Sequence, residues 1–166
     1  YERKWDGFRC LAFRDGDGIY LKSKAGQPFA RYFPDVVKAL GELKAKQFVL
    51  DGELVIPIGG ALSFDELQLR LHPAASRVQK LAAAHPALLV VFDLLAGTNG
   101  KSLVDQPLEK RRAQPEKFAQ KFFPNEKQIR LSPAPTNLKQ AQNWFKKFRG
   151  DPDVPKSKAA HAVHPP

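Results

Sequence analysis

Residues 48–57 read FVLDGELVIP, and this stretch decides the fold because two apolar runs enclose the acidic triplet Asp51-Gly52-Glu53. Aromatic and β-branched residues at this density favour a strand, so one long strand is predicted over residues 48–57. Gly59-Gly60 is predicted to turn the chain back. The strand would expose the Glu53 carboxylate on one face, although alternation alone would also explain an ordinary surface glutamate.

A second apolar run, residues 88–95, is continuous, which is typical of a strand buried on both faces in the middle of a sheet. It contains Phe92-Asp93-Leu94. The ring of Phe92 would offer a flat apolar surface, with Asp93 as a polar neighbour. Simple core packing is the alternative for Phe92.

The first nine residues set one lysine, Lys4, among charged groups and close to Trp5. An amine attacks an electrophile only when it is deprotonated, and the nearby Arg3 and Arg9 with partial burial would push a lysine pKa downward. Because the same guanidinium groups can neutralise phosphate oxygens, a phosphate ester is a natural target. Taken alone, this stretch would equally suit a solvated strand end.

The remaining patterns predict an α+β domain whose strands are separated by helices. Strands are predicted at 8–14 and 19–23, around the turn sequence Asp15-Gly16-Asp17-Gly18, and at 128–131. Ser63 and Glu66 form a capping-box pattern, and Pro115 is expected to end or kink the helix that Pro107 starts. Helices are predicted at 34–43, 63–71, 73–84, from 107 and at 137–149.

The 166-residue chain carries a net charge of +10. Most of the excess positive charge lies in its C-terminal third. Residues 106–150 hold 11 basic and 3 acidic residues, which favours contact with a phosphate backbone over a merely solubilising surface. The basic residues predicted to form this outer surface include Lys110, Arg111, Arg112, Lys117 and Lys121. The lone cysteine, Cys10, excludes an internal disulfide and is predicted to be a buried hydrophobe. No transmembrane span or secretory segment is evident, so a soluble intracellular protein is expected.

Four segments in this order resemble the ATP-dependent DNA ligases, specifically the small bacterial end-joining enzymes of the covalent nucleotidyltransferase superfamily. The segments are residues 2–9, Ser23-Lys24-Ala25-Gly26, Asp51-Gly52-Glu53 and Phe92-Asp93-Leu94. The resemblance runs from residue 1 to about 149. It implies an ATP-grasp-like nucleotidyltransferase core with antiparallel sheets flanked by helices.

The resemblance also implies roles for individual residues. Lys4 would attack the α-phosphorus of ATP, release pyrophosphate and hold AMP, with Mg²⁺ as the second cofactor. Glu2 would lie at the adenine, and Arg9 near the ribose and the phosphate of a DNA nick. Glu53 would hold the ribose hydroxyls or the metal's water shell, and Phe92 would stack on the purine. Lys24 occupies a basic position associated with the sugar or the nucleic acid.

The family pattern is incomplete in this sequence, so a partial adenylation domain is predicted over residues 1–149. The later acidic-Gly-hydrophobic signature is missing, because prolines interrupt residues 150–158. Residues 150–166 are predicted to be disordered or foreign to the family, and His161 and His164 there are not assigned to a metal. The expected oligonucleotide-binding domain is also missing, which puts the activity of this piece in doubt.

The implied substrate is nicked or broken duplex DNA, with end-joining or repair proteins as possible partners, no membrane, and a nucleoid-associated place in the bacterial cytoplasm. Two alternatives stay open. An RNA ligase or capping-type nucleotidyltransferase would share the lysine chemistry. A catalytically inactive fragment would bind only nucleotide or DNA. No arrangement of serine, cysteine or histidine suggests a hydrolase.

Overall fold

The structure, a computed structural model, describes residues 5–123 and 127–132. The predictions for Glu2, Lys4, the helix at 137–149 and the segment 150–166 therefore fall outside the described residues. The strands are β1 (Phe8–Asp15), β2 (Gly18–Ser23), β3 (Gln47–Val55), β4 (Pro57–Ile58), β5 (Ala61–Leu62), β6 (Leu88–Ala96) and β7 (Ile129–Leu131). The helices are α1 (Pro34–Glu42), α2 (Phe64–Leu69), α3 (Ala75–Ala84) and α4 (Leu108–Phe122), with a 3₁₀ turn at Ala30–Tyr32.

Five strands form one sheet in the order β2-β1-β3-β6-β7. All neighbours pair antiparallel except β6 and β7, which are parallel. The α+β class and the antiparallel-dominated sheet are thus confirmed, and β6 is an interior strand as predicted. The long strand predicted over residues 48–57 ends at Val55, and β4 pairs with β5 in a separate small hairpin.

The pairing of β3 with β6 brings two backbones into unusually close approach at Gly52. A Cβ at this position would lie 2.4 Å from the carbonyl oxygen of Val90, closer than real Cβ atoms come to backbone. Beside it the register shifts, so that Asp51 faces Asp93 while Gly52 faces Val91. Phe92 is therefore the extra residue of a β-bulge, a feature that bends a strand and re-aims a side chain.

One face of the sheet carries the main core, packed against α1 and α4. Alternate residues of β1 and β3 point into it, among them Cys10, Ala12, Leu50 and Leu54, all fully buried. Burial raises the pKa of the Cys10 thiol to about 12, so the thiol stays neutral and behaves as the small hydrophobe predicted from sequence. None of the described helices is both long and apolar enough to span a bilayer.

A buried ion pair joins elements distant in sequence. Arg70, whose side chain is fully buried, donates to both carboxylate oxygens of Asp35 at 3.0 and 2.9 Å. It also donates to the carbonyls of Tyr32 and His85, while Asp35 accepts from the Ala87 amide at 2.8 Å. The pair connects the start of α1, the end of α2 and the segment between α3 and β6. Sequence patterns did not predict this ion pair.

Helix boundaries follow the predictions at most ends but not at Pro115. That proline lies inside α4, which continues to Phe122, so the expectation that it ends the helix is wrong. A proline removes one helical hydrogen bond. Burial of Pro115 and Phe118, the latter packed edge-on to Phe48 at 5.6 Å, offsets that loss.

Side chains satisfy backbone groups at two other helix ends. The Ser63 hydroxyl accepts from the Glu66 amide as predicted, but the Ser63 amide donates to the Ile56 carbonyl instead of completing the capping box. Arg14, buried on β1, donates to the carbonyls of Leu40 and Leu43 at 2.8 and 2.7 Å. A guanidinium thereby serves the carbonyls at the C-terminal end of α1.

Replacing one partner of the buried ion pair should be strongly destabilising. Asp35→Asn keeps the shape of the side chain but leaves the Arg70 charge without its counter-charge, so we expect a loss of about 3 kcal/mol in the free energy of unfolding. Urea denaturation measures it. Asp65→Asn, an exposed carboxylate on α2, is the matched control and should change stability by under about 0.5 kcal/mol. Equal effects of the two changes would contradict the role given to Asp35.

The close approach at Gly52 predicts a steric penalty. Gly52→Ala should destabilise the fold by about 2 kcal/mol, because the new methyl group would overlap the Val90 carbonyl and force β3 and β6 apart. Gly97→Ala is the control, since its Cβ would meet nothing closer than 4.0 Å. If both variants unfold at the same urea concentration, the close approach does not constrain the sheet.

Candidate nucleotide site

The face of the sheet opposite the main core displays polar side chains at one end. On β1 and β3 the pairs Arg9 with Glu53 and Leu11 with Asp51 lie directly opposite one another. Residues two apart on a strand share a face, so Arg9, Asp51 and Glu53 project to the same side. We call Arg9, Asp51, Glu53, Phe92 and Asp93 the acidic-aromatic cluster.

Arg9 is held in place by Asp51 through a two-point contact. Its Nε donates to Oδ1 at 2.6 Å and its Nη2 to Oδ2 at 2.5 Å, the fork geometry that fixes a guanidinium most firmly. The hydrogen bond to Asp51 raises the pKa of Arg9, and the charges of Asp51, Glu53 and Asp93 raise it further against partial desolvation. Arg9 is therefore a permanent cation surrounded by three carboxylates.

The ring of Phe92 lies next to this cation. The guanidinium carbon of Arg9 is 5.5 Å from the ring centroid, within the range of a cation–π contact. Phe92 also packs on a small apolar cluster formed by Trp5, Val55, Leu88 and Val90. The ring thus has an apolar side and a charged side, as an aromatic wall of a nucleotide pocket would need.

Trp5 anchors the chain immediately after Lys4. The indole is 8% exposed, and its Nε1 donates to the hydroxyl of Ser132 at 3.1 Å, just beyond β7. A Cβ on Gly7 would lie 2.1 Å from the Leu54 carbonyl oxygen, so only glycine allows this approach to β3. Residues 5–7 are consequently fixed against β3 and β6, on the side where Phe92 lies.

Asp93 connects the cluster to α4. Its Oδ2 lies 3.2 Å from the Nε of Arg111, while the Nη1 of Arg112 donates to the Phe92 carbonyl at 3.4 Å. Burial raises the pKa of Asp93, the nearby Asp51 adds to this, and Arg111 and Arg112 lower it. The charge pattern predicted that both arginines lie on an outer basic surface, whereas in the structure they are half-buried and contact Phe92 and Asp93 of β6.

Helical spacing was the signal for this inward orientation. Arg111 precedes Pro115 by four residues and Phe118 by seven, so all three lie along one face of α4. Net charge alone conceals this, because Lys110 and Lys117 on the same helix are exposed as predicted. The bonds from Arg9 to Asp51 and from Trp5 to Ser132 were likewise absent from the sequence reasoning.

The structure brings together three of the predicted site residues, Arg9, Glu53 and Phe92. Lys24 lies elsewhere: it is exposed, it follows β2, and β1 separates that strand from β3. Register places Lys24 one residue beyond the pair Cys10 and Ser23, at the same end of the sheet as Arg9. Glu2 and Lys4 fall outside the described residues.

A magnesium ion would have to be held largely by water and substrate. Among residues 5–123 and 127–132, no three His, Cys, Asp or Glu side chains group in a way that could hold a metal. Mg²⁺ usually keeps several waters and takes one or two carboxylates together with substrate phosphates. On β3, Asp51 accepts hydrogen bonds from Arg9 at both oxygens, and Glu53 is the second carboxylate on the same face.

Comparison with known proteins identifies the family of this chain. A family model described as the ATP dependent DNA ligase domain matches residues 1–151. DNA ligase C2 of Mycolicibacterium smegmatis is 45% identical over 150 residues, a match that covers 90% of this chain and 41% of that protein. DNA ligase C of Mycobacterium tuberculosis is 40% identical over 151 residues, which cover 90% and 42% respectively.

Among solved structures, a mycobacterial DNA ligase D complexed with ATP and MES superposes with a TM-score of 0.63 at 24% identity. The superposition covers 89% of this chain and 44% of that one, and it supports the fold alone. This chain spans less than half the length of the two ligases named above. With the family model and both relatives in agreement, the chain belongs to the ATP-dependent DNA ligase domain family.

Proposed function

We propose that this chain carries out the adenylation step of an ATP-dependent DNA ligase, in which Lys4 accepts AMP from ATP. The observation that supports it most is the convergence of Arg9 and Phe92, 5.5 Å apart, beside the fixed segment that follows Lys4. Trp5, which follows Lys4 in the sequence, packs in the same apolar cluster as Phe92. A cation, an aromatic ring and an adjoining lysine are what transfer of a nucleotide requires.

The chemistry proceeds through a phosphoramidate. The neutral amine of Lys4 forms a nitrogen–phosphorus bond to the α-phosphorus while the bond from that phosphorus to the β-phosphate oxygen breaks. Pyrophosphate departs, and the amine proton goes to solvent. Because negative charge spreads over the non-bridging oxygens, cations near the α-phosphate accelerate the step. Lys4 acts as the nucleophile only in its deprotonated form.

The described residues divide the binding of the nucleotide between them. Phe92 stacks on the purine, and Arg9, oriented by Asp51, faces the ribose and phosphate region. Glu2 is proposed to contact the adenine. Glu53 is proposed to hold the ribose hydroxyls or the water shell of Mg²⁺, and that ion neutralises phosphate charge when it is bound.

Duplex DNA with a nick or a break is the proposed final substrate. Exposed lysines on α4, namely Lys110, Lys117 and Lys121, offer charges that could displace counterions from a phosphate backbone. Arg9 and Lys24 lie at the same end of the sheet, where the strand to be sealed would have to reach the adenylate. End-joining or repair proteins are proposed as partners and the bacterial cytoplasm as the site of action.

Replacing Lys4 tests the central step. The chain incubated with Mg²⁺ and ATP labelled at the α-phosphate should acquire an acid-labile label, and Lys4→Ala should lose at least 99% of it, because the amine of Lys4 is the proposed attachment point of AMP. Lys38→Ala, an exposed lysine on α1, is the control and should label as the parent does. Label that persists in Lys4→Ala, or that is accepted equally from GTP, would contradict an ATP-specific lysyl adenylate.

Replacing Phe92 tests the aromatic wall separately from the chemistry. In a Lys4→Ala background, where no transfer can occur, Phe92→Leu should weaken ATP binding about tenfold, since stacking of a base on an aromatic ring is worth about 1–3 kcal/mol. Isothermal titration calorimetry gives the dissociation constants. Phe64→Leu, a largely exposed ring on α2, is the matched control. Unchanged affinity in Phe92→Leu would remove Phe92 from the pocket.

A further inference from the structure

We propose that Arg111 and Arg112 of α4 are positioning residues for the nucleotide site, because they hold the β-bulge that aims Phe92 toward Arg9. The effect on nucleotide binding rests on the proposed function, whereas the effect on the bulge does not. Neither arginine belongs to the four segments by which the family was recognised. The inference depends on the pairing of β3 with β6 and on the contacts that α4 makes with the bulge.

The bulge leaves Phe92 without a partner on β3. Asp93 pairs with Asp51, and the next pair back is Val91 with Gly52. An unpaired residue loses ladder hydrogen bonds and can adopt more than one direction unless another element fixes it. The close approach at Gly52 constrains the backbone beside the bulge.

Helix α4 contacts the bulge through two arginines. Arg112 donates to the Phe92 carbonyl at 3.4 Å, and Arg111 pairs with the Asp93 carboxylate at 3.2 Å. Arg111 also donates to the Val104 carbonyl at 3.3 Å, which ties its guanidinium to the loop ahead of the helix. Two adjacent residues of α4 therefore hold Phe92 and Asp93 in place.

Charge balance is a second way in which Arg111 and Arg112 support the site. Asp51, Glu53 and Asp93 all act electrostatically on Arg9, which by itself balances one negative charge. A nucleoside triphosphate brings further negative charge to this end of the sheet. Arg111 and Arg112 lie on the Asp93 side, where they offset the carboxylate that Arg9 does not bind.

Helix packing holds the arginines in place. The rings of Phe118 and Phe122 stand 4.7 Å apart, and Phe118 packs on Phe48 of β3. A helix packed on the core gives its side chains a fixed backbone, so their contacts can position a neighbour. The arginine pair is therefore built on a rigid element.

Measurements on the full chain without nucleotide test the bulge directly. Arg111→Gln should speed amide hydrogen exchange at Phe92 and Asp93 at least tenfold, while exchange in β1 and α1 stays unchanged. Lys110→Gln, the exposed neighbour on the same helix, is the matched control. Arg111→Lys keeps the charge and should restore part of the protection. Exchange in Arg111→Gln equal to that in Lys110→Gln would overturn the inference.

The titration of Asp93 is a second readout, because it reports directly on the contact between Arg111 and that carboxylate. The charged groups facing Asp93 are Asp51 from β3, Arg111 and Arg112 from α4, and Arg9 from β1. Arg111 lowers the pKa of Asp93, so Arg111→Gln should raise the NMR titration midpoint of that carboxyl group. A midpoint that stays in place would count against the contact.

Nucleotide binding then tests the consequence for the site. In the Lys4→Ala background, Arg111→Gln should raise the dissociation constant of ATP five- to tenfold. Combining it with Phe92→Leu should add little more, because both changes remove the same ordered ring. Full additivity, or unchanged affinity despite a loosened bulge, would overturn the positioning role. Failure of the parent chain to bind ATP would instead overturn the proposed function, while hydrogen exchange still decides whether the arginines hold the bulge.

Discussion

The close approach of β3 and β6 at Gly52 is the constraint on which both the sheet and the candidate site depend. With a hydrogen in place of a side chain, the Val90 carbonyl comes against the middle of the acidic triplet. The register shift beside it turns Asp51 toward Asp93 and leaves Phe92 unpaired. One backbone contact therefore determines which carboxylates and which ring meet at this end of the sheet.

The two faces of the sheet differ in what holds them. The core face is stabilised by apolar burial against α1 and α4, and the buried pair of Arg70 with Asp35 fixes how the helices meet it. A buried ion pair fixes the relative positions of the elements that it joins. It adds less to net stability, because the cost of desolvating both charges offsets much of their attraction. The opposite face relies on charge: Arg9 is bound by Asp51 and balanced by its carboxylate neighbours.

Most of the fold could be predicted from local patterns. Apolar alternation and turn sequences located β1, β2, β6 and β7 to within about two residues, and Pro34 marked the start of α1. Pro115 was expected to end or kink α4, and it does not end the helix, because local propensity does not include the burial that keeps α4 intact. Arg111 and Arg112 were assigned to the outer surface because charge indicates a preference for water, but Arg111 is half-buried and pairs with the half-buried Asp93.

At the candidate site, too, the sequence predicted some features and only the structure showed others. Motif order alone identified Arg9, Glu53 and Phe92 and linked them to nucleotide transfer by Lys4, because reactive groups must be of particular residue types whatever surrounds them. The sequence by itself thus determined the strand pattern, the family and the chemical groups available. Only the tertiary structure decided the bulge at Phe92, the fork between Arg9 and Asp51 and the contact of α4 with Asp93. These depend on contacts between residues 18 to 42 positions apart, and no local pattern encodes the register that brings such residues together.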